Sequence, residues 1–305
     1  MRPARVVPLA FLAAIVVGTV LLSLPIATPG PARPPVLTAA FTSVSAVCVT
    51  GLATVDTATY WSPFGQTVIL ALIQVGGFGI MTLATLLALL VGGRLRLRST
   101  LIAQTETHAL NLGDIRQVVR RVAVTVLAFE TVIAAMLVLR FRQRYDDSWP
   151  EALWHGAFHA VSAFNNAGFA LYSDNLVGFV ADAWVMFPIC VAILAGGLGF
   201  PVLFELRRRW RTPRMWTVHT RLTVAGSLVL LVVGVLAFLA LEWRNTLGDL
   251  DAWGKVVGAV TGGVVPRTAG FNSVDYGQIT PETMAVNYLL MFIGGGPRAR
   301  LAASR

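Results

Sequence analysis

The chain has 305 residues, of which 56% are hydrophobic and 13% charged, against about 25% charged in soluble domains. That composition excludes a soluble globule, a disordered chain and a disulfide scaffold, and it points to an all-α polytopic membrane protein. The net charge of +9 invites a nucleic-acid reading, and Cys48 and Cys190 stand far apart with no metal-type spacing.

Taken in chain order, long apolar runs alternate with short ones. Residues 6–27 follow the basic stretch Met1–Arg5 and predict a first span. A cleaved signal peptide has the same layout, but the run is long for one and the pattern recurs twice downstream. Residues 36–47 are half-apolar and too short to cross, which suits a re-entrant half-helix. Residues 66–91 predict a second span, and residues 118–139 a third. Residues 151–164 predict a second half-helix and 184–204 a fourth span. Residues 222–241 predict a fifth span, and 250–265 a third half-helix. Residues 284–294 begin one more apolar helix, too short to span as written.

Charge assigns the sides. Arg2, Arg5, the segments 94–121 and 205–221 and the tail hold 17 of the 24 basic residues, with only Glu106, Asp114 and Glu205 as acids. The alternate loops hold 7 basic residues and 11 acids. The positive-inside rule puts the N-terminus and both arginine-rich loops in the cytoplasm. The basic charge is therefore a topology signal, and no nucleic-acid partner is expected. The acidic outer face would concentrate cations.

A threefold repeat organises the chain. Its unit is span, half-helix, glycine-centred loop, span. The loops read Cys48-Val49-Thr50-Gly51-Leu52, then Asn165-Asn166-Ala167-Gly168-Phe169, then Arg267-Thr268-Ala269-Gly270-Phe271-Asn272. Glycine clusters follow at Gly76–Gly79, Gly196–Gly199 and Gly294–Gly296, offset by 25, 28 and 24 residues from the loop glycines. This divides the chain into repeat 1 (1–93), a cytoplasmic loop (94–117), repeat 2 (118–206), a second cytoplasmic loop (207–221), repeat 3 (222–297) and a divergent tail (298–305).

Irregular backbone at membrane depth survives only where protein buries it or it lines a wet cavity. Glycine permits the positive φ that brings loop carbonyls together, and such carbonyls can replace an ion's water. Half-helix C-termini pointing at the cavity favour cations. Three loops in register predict a pore. The first two glycine clusters read as close helix packing. The third, followed by Pro297, reads as a helix break.

The residues that carry these features resemble the Trk/Ktr/HKT cation transporter superfamily. The run Phe41-Thr42-Ser43-Val44-Ser45-Ala46-Val47-Cys48-Val49-Thr50-Gly51-Leu52, with Val55-Asp56-Thr57, Phe64-Gly65-Gln66 and Gln74-Val75-Gly76-Gly77-Phe78-Gly79, is similar to its first pore loop. Ser162-Ala163-Phe164-Asn165-Asn166-Ala167-Gly168-Phe169 resembles the second, and Pro266-Arg267-Thr268-Ala269-Gly270-Phe271-Asn272 the third. The nearest branch is that of the bacterial KtrB membrane subunits, which the loop Leu101-Ile102-Ala103-Gln104 also resembles.

The resemblance implies four such repeats around one pore, in a multi-pass protein of the bacterial inner membrane that carries out potassium uptake and catalyses no reaction. It implies filter residues Val49, Thr50, Gly51, Asn166, Ala167, Gly168, Thr268, Ala269 and Gly270, and a gate loop beginning at Gly294, Gly295 and Gly296. It implies a homodimer and a cytosolic nucleotide-binding RCK partner of KtrA/TrkA type. Potassium is the expected cargo, Gly51 favouring it over sodium, with sodium as a coupled or regulating ion and no covalent cofactor or resident metal.

After Pro297 the family continues with a small-residue run, whereas this sequence reads Arg298-Ala299-Arg300-Leu301 and lacks a fourth repeat. A truncation or a change of reading frame would produce this. A non-conducting fragment or a sodium-preferring relative is the alternative reading.

Rival classes fare less well. Secondary transporters with broken helices show inverted repeats, whereas these run parallel. A membrane enzyme needs convergent polar groups within its spans, and there Glu130 stands nearly alone. Glu130 reads as functional or as a hydrogen-bonded packing contact. His155 and His159 share a helix face but bring too few ligands for zinc. Cys48 reads as a space filler. Arg267 would tune the filter mouth or pair with an acid such as Asp275. Arg207–Arg209 and Arg211 read as topology determinants that could also meet the RCK subunit or anionic lipid.

Overall fold

The computed structural model describes residues 3–30, 33–100, 112–146, 148–266 and 269–294. Among the described residues the chain is helical, with no strand. Repeat 1 holds α1 (Pro3–Leu22), α2 (Val36–Val47), the one-turn α3 (Thr57–Tyr60) and α4 (Pro63–Thr100). Repeat 2 holds α5 (Leu112–Arg144), α6 (Trp149–Phe164), α7 (Ala183–Leu198) and α8 (Phe200–Arg209). Repeat 3 holds α9 (Val218–Glu242), α10 (Ala252–Val264) and α11 (Pro281–Gly294).

The three half-helices fall where the sequence predicts them, and local chemistry explains their starts. Ser148 caps α6 by accepting from Glu151 N–H at 3.3 Å, with a proline in the first turn. Asp251 caps α10 by accepting from Gly254 N–H at 2.8 Å. Pro35 precedes α2, which has no side-chain cap. Each half-helix is too short to span and too apolar for water, so it packs against full-length helices. Helix α2 lies on α1 and α4, α6 on α5 and α7, and α10 on α9 and α7.

The stretches Pro63–Ile80 of α4 and Arg116–Arg144 of α5, together with α9, are long and apolar enough to cross a membrane. The span expected over 184–204 is different. It is two helices, α7 and α8, meeting at 104°. Gly199 sits between them at φ +80°, and a proline in the first turn of α8 lacks the N–H that would continue α7. The second glycine cluster is thus a packing surface at its start and a break at its end. The break expected at the third cluster falls largely on Gly295, Gly296 and Pro297, outside the described residues. The first span also ends early, at Leu22, with a 3-10 turn over Pro25–Ala27.

Burial follows the repeats. One core collects Leu22, Ala39, Val47, Ile69 and Ile73 of repeat 1 and takes in Phe158, Ala167 and Phe169 of repeat 2. A second centres on Leu137, Phe141, Phe164, Met186 and Ile189 and takes in Val257, Ala269 and Phe271 of repeat 3. Each core therefore extends across a repeat boundary through residues of a half-helix and its loop. By contrast α9 leaves Leu222, Leu228, Val229 and Leu236 exposed, as a lipid-facing or partner-facing helix does.

On the arginine-rich side the α8–α9 turn closes on itself. Arg209 Nη1 donates to Met215 O at 2.8 Å, Trp216 Nε1 to Arg209 O at 2.9 Å, and Thr217 N–H and Oγ1–H both donate to Glu205.

Candidate functional site: three glycine loops at one place

The first two loops have the same backbone. In loop 1, Val49 takes φ +54°, Thr50 N–H donates to Ser45 O at 2.9 Å and Val49 N–H to Ala46 O at 3.2 Å. In loop 2, Asn166 takes φ +58°, Ala167 N–H donates to Ser162 O at 2.8 Å and Asn166 N–H to Ala163 O at 3.1 Å. Both are Schellman caps, which end a helix on a left-handed residue while satisfying two of its last carbonyls. Asparagine tolerates that conformation, whereas a β-branched valine is strained in it. Two residues on, Gly51 and Gly168 take φ +77° and +73°.

Loop 3 reaches the same end by another route. Val265 caps α10 in the right-handed conformation, Ala269 N–H donates to Val265 O at 3.2 Å, and Gly270 takes φ +74°. Arg267 and Thr268 lie outside the described residues.

The three glycines are neighbours. A methyl group on Gly51 would lie 2.5 Å from Ala167 O. One on Gly168 would lie 2.6 Å from both Cα and C of Gly270, and one on Gly270 would lie 3.1 Å from Gly168 Cα. At Gly51 and Gly168 a side chain would force the neighbouring backbone to move, at Gly270 it would be tight, and the positive φ disfavours most residues at all three independently. The structure thus brings Val49, Thr50, Gly51, Asn166, Ala167, Gly168, Ala269 and Gly270 to one locus at the C-terminal ends of α2, α6 and α10.

The glycines of the full-length helices fix how closely the half-helices approach. A methyl group on Gly76 would run into Val47 O, the last carbonyl of α2. One on Gly196 would run into Phe164 O, the last carbonyl of α6. The two contacts are equivalent positions in repeats 1 and 2, as the offsets in sequence suggest.

Polar side chains behind loop 2 hold it in place. Ser162 Oγ donates to Phe169 O at 2.7 Å. His159 is fully buried, and its Nδ1 lies 2.7 Å from His155 O while its Nε2 accepts from Leu171 N–H at 3.3 Å. Only a neutral ring with the proton on Nδ1 satisfies both contacts. The amide nitrogen of Asn166, oriented to meet acceptors, donates to Ala163 O at 3.1 Å and Ile193 O at 3.2 Å.

Glu130 completes this bracing. Its Oε1 accepts from Asn165 Nδ2 at 3.1 Å and its Oε2 from Gln74 Nε2 at 3.0 Å. Asn165 Nδ2 also reaches Gln74 Oε1 at 3.1 Å. One carboxyl of α5 therefore ties the cap residue of α6 to α4. Asn165 Oδ1 has no hydrogen-bond partner among the described residues and lies where a methyl group on Gly77 would sit. The mid-span acid is thus a hydrogen-bonded cross-link adjoining the loops, a role that sequence alone leaves undecided.

On the opposite, acid-rich side, Arg140 Nε pairs with Asp182 Oδ2 at 2.7 Å, and Tyr145 Oη donates to the same oxygen at 2.8 Å. Burial raises the Asp182 carboxyl, but Arg140, Tyr145 and the Trp184 N–H outweigh it and hold the group below its ordinary value. Asp56 Oδ2 accepts from Ser173 Oγ at 2.6 Å, joining the segments that leave loops 1 and 2. In repeat 3, Glu242 accepts from Thr280 N–H at 2.9 Å and Thr283 Oγ1 at 2.6 Å, fastening α9 to the start of α11.

Comparison with known proteins places this arrangement. Residues 10–299 match the TrkH family, described as cation transport protein. Over 298 residues the chain is 40% identical to the Ktr system potassium uptake protein B of Bacillus subtilis (strain 168), covering 96% of this chain and 65% of that one. It is 37% identical over 295 residues to the protein of the same name from Vibrio alginolyticus, covering 96% and 64%. The fold is similar to the crystal structure of the potassium transporter TrkH from Vibrio parahaemolyticus, with a TM-score of 0.65, 18% identity and coverage of 93% of this chain and 55% of that one. The chain thus spans just under two thirds of the length of these curated relatives.

Proposed function

The chain belongs to the TrkH family of cation transport proteins, and from that premise we propose that it forms the greater part of a potassium-uptake pore. In this reading the backbone carbonyls around Gly51, Gly168 and Gly270, with those of Val49, Thr50, Asn166, Ala167, Thr268 and Ala269, replace the water of a dehydrated potassium ion. The half-helix C-termini add partial negative charge there. The observation that carries the reading is the close approach of three positive-φ glycines, Gly51 and Gly270 each packed against the Ala167–Gly168 backbone and each loop following a helix too short to span.

Uptake would run down the electrochemical gradient from the acid-rich outer side. The N-terminus and the arginine-rich turns would face the cytoplasm of a bacterial inner membrane, where a nucleotide-binding regulatory subunit would dock. A second copy would complete a homodimer, and Gly294–Gly296 would begin the gate beneath the filter. No chemical reaction is part of this proposal.

The test is growth at low potassium, with rubidium influx, in a bacterium lacking its own potassium uptake. The chain is expressed as it stands and joined to the remaining third of a relative such as the Bacillus protein. Growth and influx from the joined version support the reading. A joined version that reaches the membrane yet supports neither overturns it.

A further inference from the structure

On the acid-rich side, behind loop 2, four residues from three segments meet. Asp146 follows the last turn of α5, Glu151 and His155 lie on the first turns of α6, and Tyr172 lies on the segment that leaves loop 2. Asp146 Oδ1 is 3.0 Å from His155 Nδ1, Tyr172 Oη is 3.0 Å from the same nitrogen, and Tyr172 Oη is 3.3 Å from Asp146 Oδ1. One ligand atom each from Asp146, Glu151 and His155 lies within 4.8 Å of the others.

Two observations separate this cluster from an ordinary surface group of acids. The first is chemical: carboxylate and imidazole together form the donor set that divalent transition metals take. Ligands at roughly 2.0–2.2 Å around a tetrahedral ion stand about 3.3–3.6 Å apart, and the Asp146, Glu151 and His155 atoms, at 4.8 Å or less from one another, reach that spacing by a small side-chain movement. The second concerns Asp146. Its side chain is 3% exposed, and its Oδ2 has no hydrogen-bond partner among the described residues. A buried carboxylate oxygen left without a donor is costly, and a cation is one of the few things that would satisfy it.

We propose that Asp146, Glu151 and His155 form a binding site for a divalent transition cation such as Zn²⁺, with the Tyr172 hydroxyl beside it. On binding, His155 keeps its one ring proton on Nε2 and presents the Nδ1 lone pair to the metal, which also meets the unpartnered Oδ2 of Asp146. His159 does not take part, because both of its nitrogens are engaged with backbone. The partners of His155 are thus Asp146, just before α6, and Glu151 in its first turns, rather than His159 on the same helix face.

The site shares structure with loop 2. Tyr172 is the fourth residue after Gly168, and the neighbouring Leu171 N–H is held by His159, which in turn engages the carbonyl of His155. An ion here would join the α5–α6 turn to the chain leaving the loop.

The test is metal binding by the purified full chain in detergent, stripped with a chelator and titrated with Zn²⁺, read by calorimetry and by metal content after gel filtration. About one Zn²⁺ per chain is expected, and His155→Gln and Glu151→Gln should each weaken binding at least tenfold. His219→Gln, remote from the site, should leave it unchanged. Glu151 is exposed, so its replacement leaves the fold intact. Absence of saturable Zn²⁺ binding, or equal binding by wild type, His155→Gln and Glu151→Gln, overturns the proposal. The readout needs no conduction, so it stands or falls separately from the transport reading.

Discussion

Loops 1 and 2 share one backbone and differ in what surrounds it. Both end a half-helix in a Schellman cap and turn on a left-handed glycine. Loop 2 is then fixed by Ser162, His159, Asn166 and the Glu130–Asn165–Gln74 cross-link, and Ala167 to Leu171 are all buried. In loop 1, Cys48, Thr50 and Leu52 are exposed, and the holding contacts described are those of its own backbone, with Ser43 Oγ bonded to Ile15 O at 2.9 Å one turn earlier. The shape of a glycine loop and its bracing thus have separate causes. Shape comes from the cap and the glycine, and bracing from polar side chains of the half-helix itself and of its neighbours α4 and α5.

The sharpest way to break this comparison is at the glycines. Gly168→Ala places a methyl group 2.6 Å from the Gly270 backbone and adds about 1–2 kcal/mol of left-handed strain. Rubidium influx by the joined protein is expected to fall to background. Gly51→Ala, which meets a single carbonyl oxygen at 2.5 Å in a more open loop, should retain more.

The next largest effect lies in the cross-link. Glu130→Leu strands the amide nitrogen of Gln74, at about 1–3 kcal/mol, and takes one of three acceptors from Asn165 Nδ2, which keeps Gln74 Oε1 and Val161 O; the melting temperature should fall by several degrees. Glu130→Gln keeps one acceptor and should cost roughly half as much. If Glu130→Leu melts like the wild type, the bracing account of loop 2 is wrong.

His159→Phe, measured by amide exchange, sharpens the comparison further. It frees Leu171 N–H, so faster exchange is expected around loop 2 while loop 1 stays unchanged. Asp182 gives a smaller, pH-dependent effect. Its native carboxyl titrates below the ordinary value of about 3.9, so its contribution to stability is complete above that pH and is lost as pH falls through the lowered value. Melting temperatures of wild type and Asp182→Asn should therefore converge in acid and separate toward neutral pH. Ser173→Ala, which removes an exposed bond to Asp56, should change stability least, by about 0.5 kcal/mol or less.

Much of this organisation is legible in the sequence because the membrane simplifies the code. Apolar run length separates spans from half-helices, and α2 matches its expected bounds of Val36–Val47 to the residue. Glycine spacing locates the loops because no other residue accepts that backbone readily. The bend at Gly199 is hidden, since a hydropathy window averages across a break that one left-handed residue and the following proline create. The roles of His159, Asn165 and Glu130 are hidden for a different reason: each depends on a partner that folding brings from a distance, 91 residues away for the contact between Asn165 and Gln74. A donor and an acceptor so separated leave no pattern in one sequence.

The seats provided by Gly76 and Gly196 have a consequence for lipids. Bilayers differ in thickness, and membrane helices commonly answer by tilting or shifting. A half-helix whose last carbonyl rests against bare backbone has its elevation set by its neighbour inside the protein. Loops 1 and 2 therefore have their levels set by α4 and α7 rather than by the bilayer, and adjustment to thickness falls to helices with exposed apolar faces such as α9.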